Sequence, residues 1–233
     1  MTLEEYREKS EKAKSIVFFG GAGVSTESGI PDFRSVDGLY RQKYEYPPEI
    51  MLSADFFKYH TEEFFKFYFD KMIYTDAKPN KAHVKLAEWE KSGKLKAVVT
   101  QNIDGLHQLA GSKTVYELHG SVHRNSCLRC GKRFTLEDIL AQKPSVPRCR
   151  CGGVIKPDVV LYGESLPERT VAEAIEAIAS ADMLIVGGTS LAVYPAAGFI
   201  TYFNGSLDNL IVINKTVIPG FSNQLNGSLG ELL

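Results

Sequence analysis

The chain has no apolar run approaching the roughly 18 residues that a membrane-spanning helix needs. Its opening stretch, MTLEEYREKSEKAK, is charged where a secretory signal would be apolar. It also lacks a surplus of either charge. Lysine and arginine total 27 against 28 acidic residues, a formal net charge of −1, so neither nucleic acid nor an anionic membrane is expected as a partner. No internal repeat or low-complexity segment interrupts it. Cysteine is scarce, with four in 233 residues. These absences predict a cytoplasmic protein, and in a reducing compartment four cysteines suit metal ligation better than disulfide bonds. What is plentiful is apolar character: 44% of the residues are hydrophobic, enough for one sizeable domain or one domain carrying a small inserted module.

Short apolar runs punctuate the chain at SIVFFG (15–20), KAVVT (96–100), TVYEL (114–118), DVVLY (158–162), DMLIVGG (182–188) and LIVIN (210–214). Several are apolar at successive positions, as strands covered on both faces are. Helical patterns lie between them. Thr2 and Glu5 form a capping box that predicts a helix over 3–14. KAHVKLAEWEKSG (81–93) ends on a glycine cap, and PERTVAEAIEAIASA (167–181) is rich in alanine and glutamate. The alternation predicts an α/β fold with a doubly wound, mostly parallel, Rossmann-like sheet. Two stretches break it. Residues 36–78 are aromatic-rich and read as helical over SADFFKYHTEEFFKFYFDKM, and residues 122–156 hold all four cysteines. We therefore expect residues 1–35, 79–121 and 157–233 to form the nucleotide-binding domain. The helical insertion 36–78 and the module 122–156 would together form a smaller lobe.

The cysteines come as CLRC, Cys127 and Cys130, and CRC, Cys149 and Cys151, with 131–148 between them. Paired thiolates at short spacing can meet a zinc ion tetrahedrally, and four of them leave no position open for water. Such a zinc is structural, and the chemistry lies elsewhere. Two disulfides, four unrelated thiols or an iron–sulfur cluster are the alternatives.

The stretch GGAGVSTESGIPDFRS (20–35) begins like a phosphate-binding loop after a strand. As a dinucleotide fingerprint it is incomplete. Gly21 and Gly23 are present, but Thr26 stands at the third glycine position, and no acidic residue ends a next strand about 20 positions on. Other strand ends carry polar residues too: Gln101, Asn102 and Asp104 beside Ile103, then His119, Thr189 with Ser190, and Asn214. Ligands of open parallel sheets sit beyond the carboxyl ends of the strands, so these groups point to one shared site. His60, His83, His107 and His123 read as structural or surface residues.

GAGVSTESGIPDFRS, TQNIDGLHQLAG, ELHGS, the two cysteine pairs, KPDVVLYGE and GTSLAVYPAA resemble, in order, the signature blocks of the sirtuin family, in its bacterial type. Sirtuins are NAD-dependent protein lysine deacylases, and the resemblance covers about residues 20–214. It implies that Ala22, Gly23 and Thr26 lie near the phosphates of NAD. Phe33 would screen the ribose carbon from water once nicotinamide leaves, and Arg34 would bind polar or phosphate oxygens. Ile103 and Asp104 would hold the nicotinamide amide. Gln101 and Asn102 would contact the adjoining ribose and the water network, and Gly188, Thr189, Ser190 and Asn214 the phosphate and adenosine end. His119 matches the general base, a role suited to an imidazole that titrates near neutrality. The implied reaction has the acyl-lysine oxygen attack the ribose as nicotinamide departs. His119 then activates a ribose hydroxyl, and the acyl group leaves on ADP-ribose. The acyl-lysine peptide would add as a strand against Val160, Leu161, Tyr162, Gly163 and Glu164 on one side and 191–194, including Val193, on the other. A mono-ADP-ribosyltransferase, a zinc-ribbon binding module and a hydride-transfer dehydrogenase are the competing readings.

The chain departs from the family pattern in three places: Gly20 stands where threonine is common, the second cysteine pair is C-x-C, and the tail after Asn214 is short. Family members that remove succinyl or malonyl groups carry a Tyr-x-x-Arg pair on the helical insertion. The match here is Tyr68 and Lys71, and lysine lacks the planar fork that grips a carboxylate. An acetyl or other uncharged acyl group is therefore expected.

Overall fold

In the computed structural model, which describes residues 1–33 and 46–233, the chain opens with helix α1 (Leu3–Lys12), started by the Thr2–Glu5 capping box. Strand β1 (Ile16–Gly20) follows. Helices α2 (Pro48–Met51), α3 (Ala54–Tyr59), α4 (Thr61–Lys71) and α5 (Lys81–Lys91) come next, then β2 (Leu95–Thr100), α6 (Leu106–Ala110), β3 (Val115–Glu117), β4 (Gly120–Cys127) and β5 (Arg133–Phe134). The remainder is α7 (Leu136–Leu140), β6 (Ile155–Val159), α8 (Glu168–Ser180), β7 (Met183–Gly187), β8 (Leu210–Asn214), β9 (Gln224–Asn226) and α9 (Leu229–Leu232).

Six strands form one parallel sheet in the order β3-β2-β1-β7-β8-β9. The continuous apolar runs now have a cause. In β1, Val17 and Phe19 enter a core with Val99, Leu184, Val186 and residues of α8, while Ile16 and Phe18 enter the opposite core with Leu86 of α5, Tyr6 of α1 and Leu229 of α9. Both pleat faces are covered by helices, so both must be apolar. The chain winds outward from β1 in both directions, to β2 and to β7. The crevice beyond the carboxyl ends of β1 and β7 is therefore a topological switch point, where such sheets bind ligands.

The second sheet is small and antiparallel, in the order β5-β4-β6. Here two expectations need amending. The run 158–162 does not supply a strand of the parallel sheet. Its first residues end β6, which pairs with β4, and the rest leaves regular structure at residue 160. The alternating burial of β6 is that of a sheet covered on one face only. The single helical run over 53–72 is two helices, broken at His60, whose ψ of 50° is not helical. A third core joins Phe56, Phe57, Phe64, Phe65, Phe67 and Tyr68 of this helical region to Cys127, Leu136, Ile139, Cys149 and Ile155 of the cysteine-bearing region. The two irregular stretches thus share one interior. Residues 34–45 of the sequence, including Arg34, lie outside the described residues. No helix among those described is long and apolar enough to cross a membrane.

Candidate active site and metal centre

Beyond Gly20 the chain turns tightly against the end of β7. Gly21 N–H donates to the Gly187 carbonyl at 3.2 Å, and Gly23 N–H to the Gly188 carbonyl at 2.8 Å. A Cβ on Gly23 would lie 2.8 Å from Gly188 Cα, so glycine is required for the two backbones to meet. The fold needs these glycines whatever nucleotide binds, and their close packing leaves the loop's outer side facing an open cavity.

That cavity has a volume of about 1030 Å³. Into it the first loop brings Ala22, Gly23, Thr26 and Phe33, and the end of β2 brings Gln101, Asn102, Ile103 and Asp104. His119 enters from the β3–β4 junction, and residues 160–164 form one wall. The ends of β7 and β8 add Gly188, Thr189, Ser190, Val193 and Asn214. Apart from Arg34, and from Leu191 and Ala192 of the 191–194 segment, every residue assigned above to nucleotide, base or peptide lines this one space.

Its polar groups are tied together. Ser25 Oγ donates to Asp104 Oδ2 at 2.6 Å, and Asn102 Nδ2 donates to Ser25 Oγ at 3.0 Å. Asp104 Oδ1 accepts the Leu106 N–H at 2.9 Å. Gln101 Nε2 donates to Thr189 Oγ1 at 3.2 Å, joining the β2 and β7 ends. Lys215 Nζ reaches Thr26 Oγ1 at 3.3 Å, which puts a cation beside the glycine loop. Ser25 and Lys215 line the cavity without having been singled out in the sequence, and His123, expected to be a structural or surface residue, lines it as well. The signal for Ser25 was its place inside the glycine block, and for Lys215 its place directly after Asn214.

His119 is held by one contact that decides its chemistry. Its Nδ1 lies 2.9 Å from the Gln101 carbonyl oxygen. A carbonyl only accepts, so Nδ1 carries a proton, and in the neutral ring Nε2 keeps its lone pair. Burial holds the imidazole below its ordinary pKa of 6.5, partly opposed by the bond to Gln101. At neutral pH the ring is therefore an uncharged base.

The 160–164 wall is fixed from behind. Val160 N–H donates to the His119 carbonyl, and Tyr162 exchanges backbone bonds with Leu52 and Ala54, each at 2.9 Å. Glu164 Oε2 accepts from the Leu161 N–H at 2.9 Å and from Lys156 Nζ at 3.1 Å. Across the cavity, Leu191 holds a left-handed φ of 51°, unusual for a branched side chain, and its N–H donates to Thr189 Oγ1.

The four cysteines are unbridged, and their sulfurs all lie within 4.8 Å of one another. Cys127 and Cys151 sulfurs are 3.5 Å apart, and Cys130 and Cys149 sulfurs 3.7 Å. A disulfide needs about 2.05 Å. Zinc–sulfur bonds of about 2.3 Å at tetrahedral angles put sulfurs about 3.8 Å apart. The cage fits a single zinc with all positions filled by protein. A backbone N–H from Arg129 to the Cys127 sulfur at 3.4 Å supports it.

The sequence model of the Sir2 family matches residues 21–195. An NAD-dependent protein deacetylase of Clostridium acetobutylicum is 58% identical over 238 residues, which cover 99% of this chain and 96% of the relative. The Clostridium tetani protein of the same name is 56% identical, covering 100% and 96%. Among solved structures, a Sir2 variant with deacetylated p53 peptide and 3′-O-acetyl ADP-ribose superposes with a TM-score of 0.90 at 40% identity, covering 99% of this chain and 95% of that one. Sir2Tm bound to a propionylated peptide gives 0.86 at 38%, with the same coverage.

Proposed function

The chain belongs to the Sir2 family, and from that premise we infer that it is an NAD-dependent protein lysine deacetylase. It takes an acyl-lysine protein or peptide and passes the acyl group to ADP-ribose, releasing nicotinamide and O-acetyl-ADP-ribose. The observation that carries this reading is His119, its Nδ1 bonded to the Gln101 carbonyl, in the same cavity as the glycine loop and the extended 160–164 wall. NAD, when bound, supplies an electrophilic ribose carbon with nicotinamide as its leaving group.

The residues divide the labour along the cavity. Ala22, Gly23 and Thr26, with Lys215 beside them, hold the diphosphate, and Thr189, Ser190 and Asn214 the adenosine end. Ile103 and Asp104 hold the nicotinamide amide, and Gln101 and Asn102 the neighbouring ribose. Phe33 keeps water from the reacting carbon, so transfer to the acyl oxygen outcompetes hydrolysis. His119 Nε2 takes the proton from the ribose hydroxyl that receives the acyl group, while its Nδ1–H stays on Gln101. The peptide runs as a strand between 160–164 and 191–194, giving backbone bonds with little sequence demand. Zinc on Cys127, Cys130, Cys149 and Cys151 is structural. The even charge balance and the thiolate cage suit a cytoplasmic protein without membrane or nucleic-acid partners.

The deciding assay mixes protein, NAD and an acetylated peptide, and follows nicotinamide and acetyl-ADP-ribose. Peptide-dependent release of both is expected. ADP-ribose attached to protein instead would favour transferase activity, and no release would sink the enzymatic reading.

A further inference from the structure

We propose that His123 is a positioning residue for the loop after β2, setting how tightly that loop binds nicotinamide. The inference rests on the reading of Ile103 and Asp104 as the nicotinamide-holding pair.

Most backbone carbonyls of the loop 100–105 are bonded by one neighbouring segment, 118–123. Leu118 N–H donates to the Thr100 carbonyl at 2.9 Å, and Val122 N–H to the Ile103 carbonyl at 3.0 Å. Between and beyond these backbone bonds, two histidines take two further carbonyls. His119 Nδ1 bonds Gln101 O at 2.9 Å, and His123 Nε2 bonds Asp104 O at 3.0 Å. Because a carbonyl only accepts, His123 donates from Nε2 in either its neutral or its charged form.

The ring has a fitted seat. A Cβ on Gly105 would lie 2.8 Å from His123 Cδ2, and Gly105 itself has a left-handed φ of 73°. Glycine is needed there both for the backbone turn and for the imidazole to lie across it. Asp104 is thereby held at two points. Its carboxylate is fixed by Ser25 and the Leu106 N–H, and its carbonyl by His123. Removing the imidazole frees the peptide unit between Asp104 and Gly105 to rotate, and the carboxylate and the Ile103–Asp104 backbone with it. The backbone donors of Leu118 and Val122 survive any substitution. Of the two side-chain bonds, the one from His123 can be removed without touching the general base, and it anchors the loop to β4 of the smaller sheet.

Nicotinamide release is reversible, so free nicotinamide must rebind the same site and inhibit. Its inhibition therefore reports the loop's geometry. The experiment measures nicotinamide inhibition of peptide deacetylation with the full-length protein. His123→Ala and His123→Phe, which keeps a ring over Gly105 but cannot donate, should weaken inhibition by roughly three- to tenfold, the span expected for one partly exposed hydrogen bond. The KM for acetyl-peptide should stay within about twofold, and the thermal midpoint within a few degrees. His123→Gln, which offers an amide donor, should restore most of the wild-type inhibition. Asp104→Asn is the companion measurement. If it alters nicotinamide inhibition while His123→Phe stays at the wild-type value, His123 does not position the loop. If Asp104→Asn leaves inhibition unchanged, the nicotinamide site is elsewhere and the inference goes with it. A parallel fall in thermal midpoint and in both substrate affinities, without rescue by glutamine, would reduce His123 to a packing residue and overturn the proposal.

Discussion

Burial lowers the pKa of three histidines, the half-buried His119 that lines the cavity and the fully buried pair His83 and His107. His119 keeps a lone pair on Nε2 toward the cavity because Gln101 takes the proton on Nδ1. His119→Ala should leave the thermal midpoint within a few degrees but slow deacetylation by at least about 100-fold, the common scale for a lost general base. Nicotinamide exchange should suffer less, because it precedes that proton transfer. The wild-type rate should be flat at neutral pH and fall on the acid side with an apparent pKa below 6.5, since burial lowers that of His119. A wild-type rate in the alanine variant would show that another group is the base. His83 and His107 sit face to tilted face with ring centroids 4.7 Å apart, fully buried. Burial is the main cause holding them down, to about 4 and about 3. Both folded values lie below the unfolded 6.5, so their contribution to stability is complete above pH 6.5 and is lost as pH falls through about 4 and 3. Unfolding midpoints in denaturant should decline over that window, and His107→Phe should flatten the decline. An unaltered acid slope in the variant would remove the pair as its cause.

Helix α4 shows how one element serves core and cavity together. Phe64, Phe65 and Tyr68 are fully buried, with Phe64 and Phe65 ring centroids 5.3 Å apart edge to face and Phe64 and Tyr68 stacked at 5.6 Å. Yet Tyr68 and Lys71, one turn apart, also line the cavity. Lys71 Nζ lies 3.0 Å from Asp70 Oδ2, so its charge is already faced by a carboxylate of its own helix. A succinyl group would have to compete with Asp70 for a strongly hydrated point charge that offers no fork. The kcat/KM for acetyl-lysine should therefore exceed that for succinyl-lysine on one peptide backbone. Lys71→Arg should raise the succinyl rate only modestly, and a succinyl preference of about tenfold or more in the unmodified enzyme would mean a cation here reads the distal carboxylate. The same element shows what was legible beforehand. The aromatic density announced a buried helix, but not the break at His60 or the cavity wall. Strands β1, β7 and β8 were readable because both of their faces are apolar. Strand β4, GSVHRNSC, was not. It is buried over 120–122, exposed at His123 and Arg124 in succession and buried again at Asn125 and Cys127, so its sequence carries no period of two. His123 was hidden for the same reason, since nothing local says that its ring reaches back to the β2 loop.

At the scale of the whole molecule, the polar strand ends made the site readable, because topology alone sends the carboxyl ends of parallel strands to one crevice. The contacts crossing from the smaller sheet to that crevice were beyond reach, and they govern how metal and activity are linked. The parallel sheet has two cores of its own, on opposite faces. The third core contains Cys127 and Cys149 together with the phenylalanines of α3 and α4. Structural zinc in small modules is worth on the order of 10–16 kcal/mol, as much as the whole stability of a typical domain, about 5–15 kcal/mol. Losing it should therefore unfold more than the cysteine knuckles. Cys127→Ser or Cys149→Ser should release the 122–156 module and loosen the helices packed on it, while the parallel sheet survives. Hydrogen exchange should then lose protection over 54–71 and 120–159 and retain it over 16–20, 95–100, 183–187 and 210–214. Deacetylation should vanish although no cysteine touches the reaction, because β4 carries the bonds that hold the β2 loop, and the wall 160–164 continues from β6. Metal analysis of the purified protein should find one zinc per chain, and chelation should split a single thermal transition into two. A zinc-free protein that keeps full activity and one transition would show that the cage is incidental to the fold.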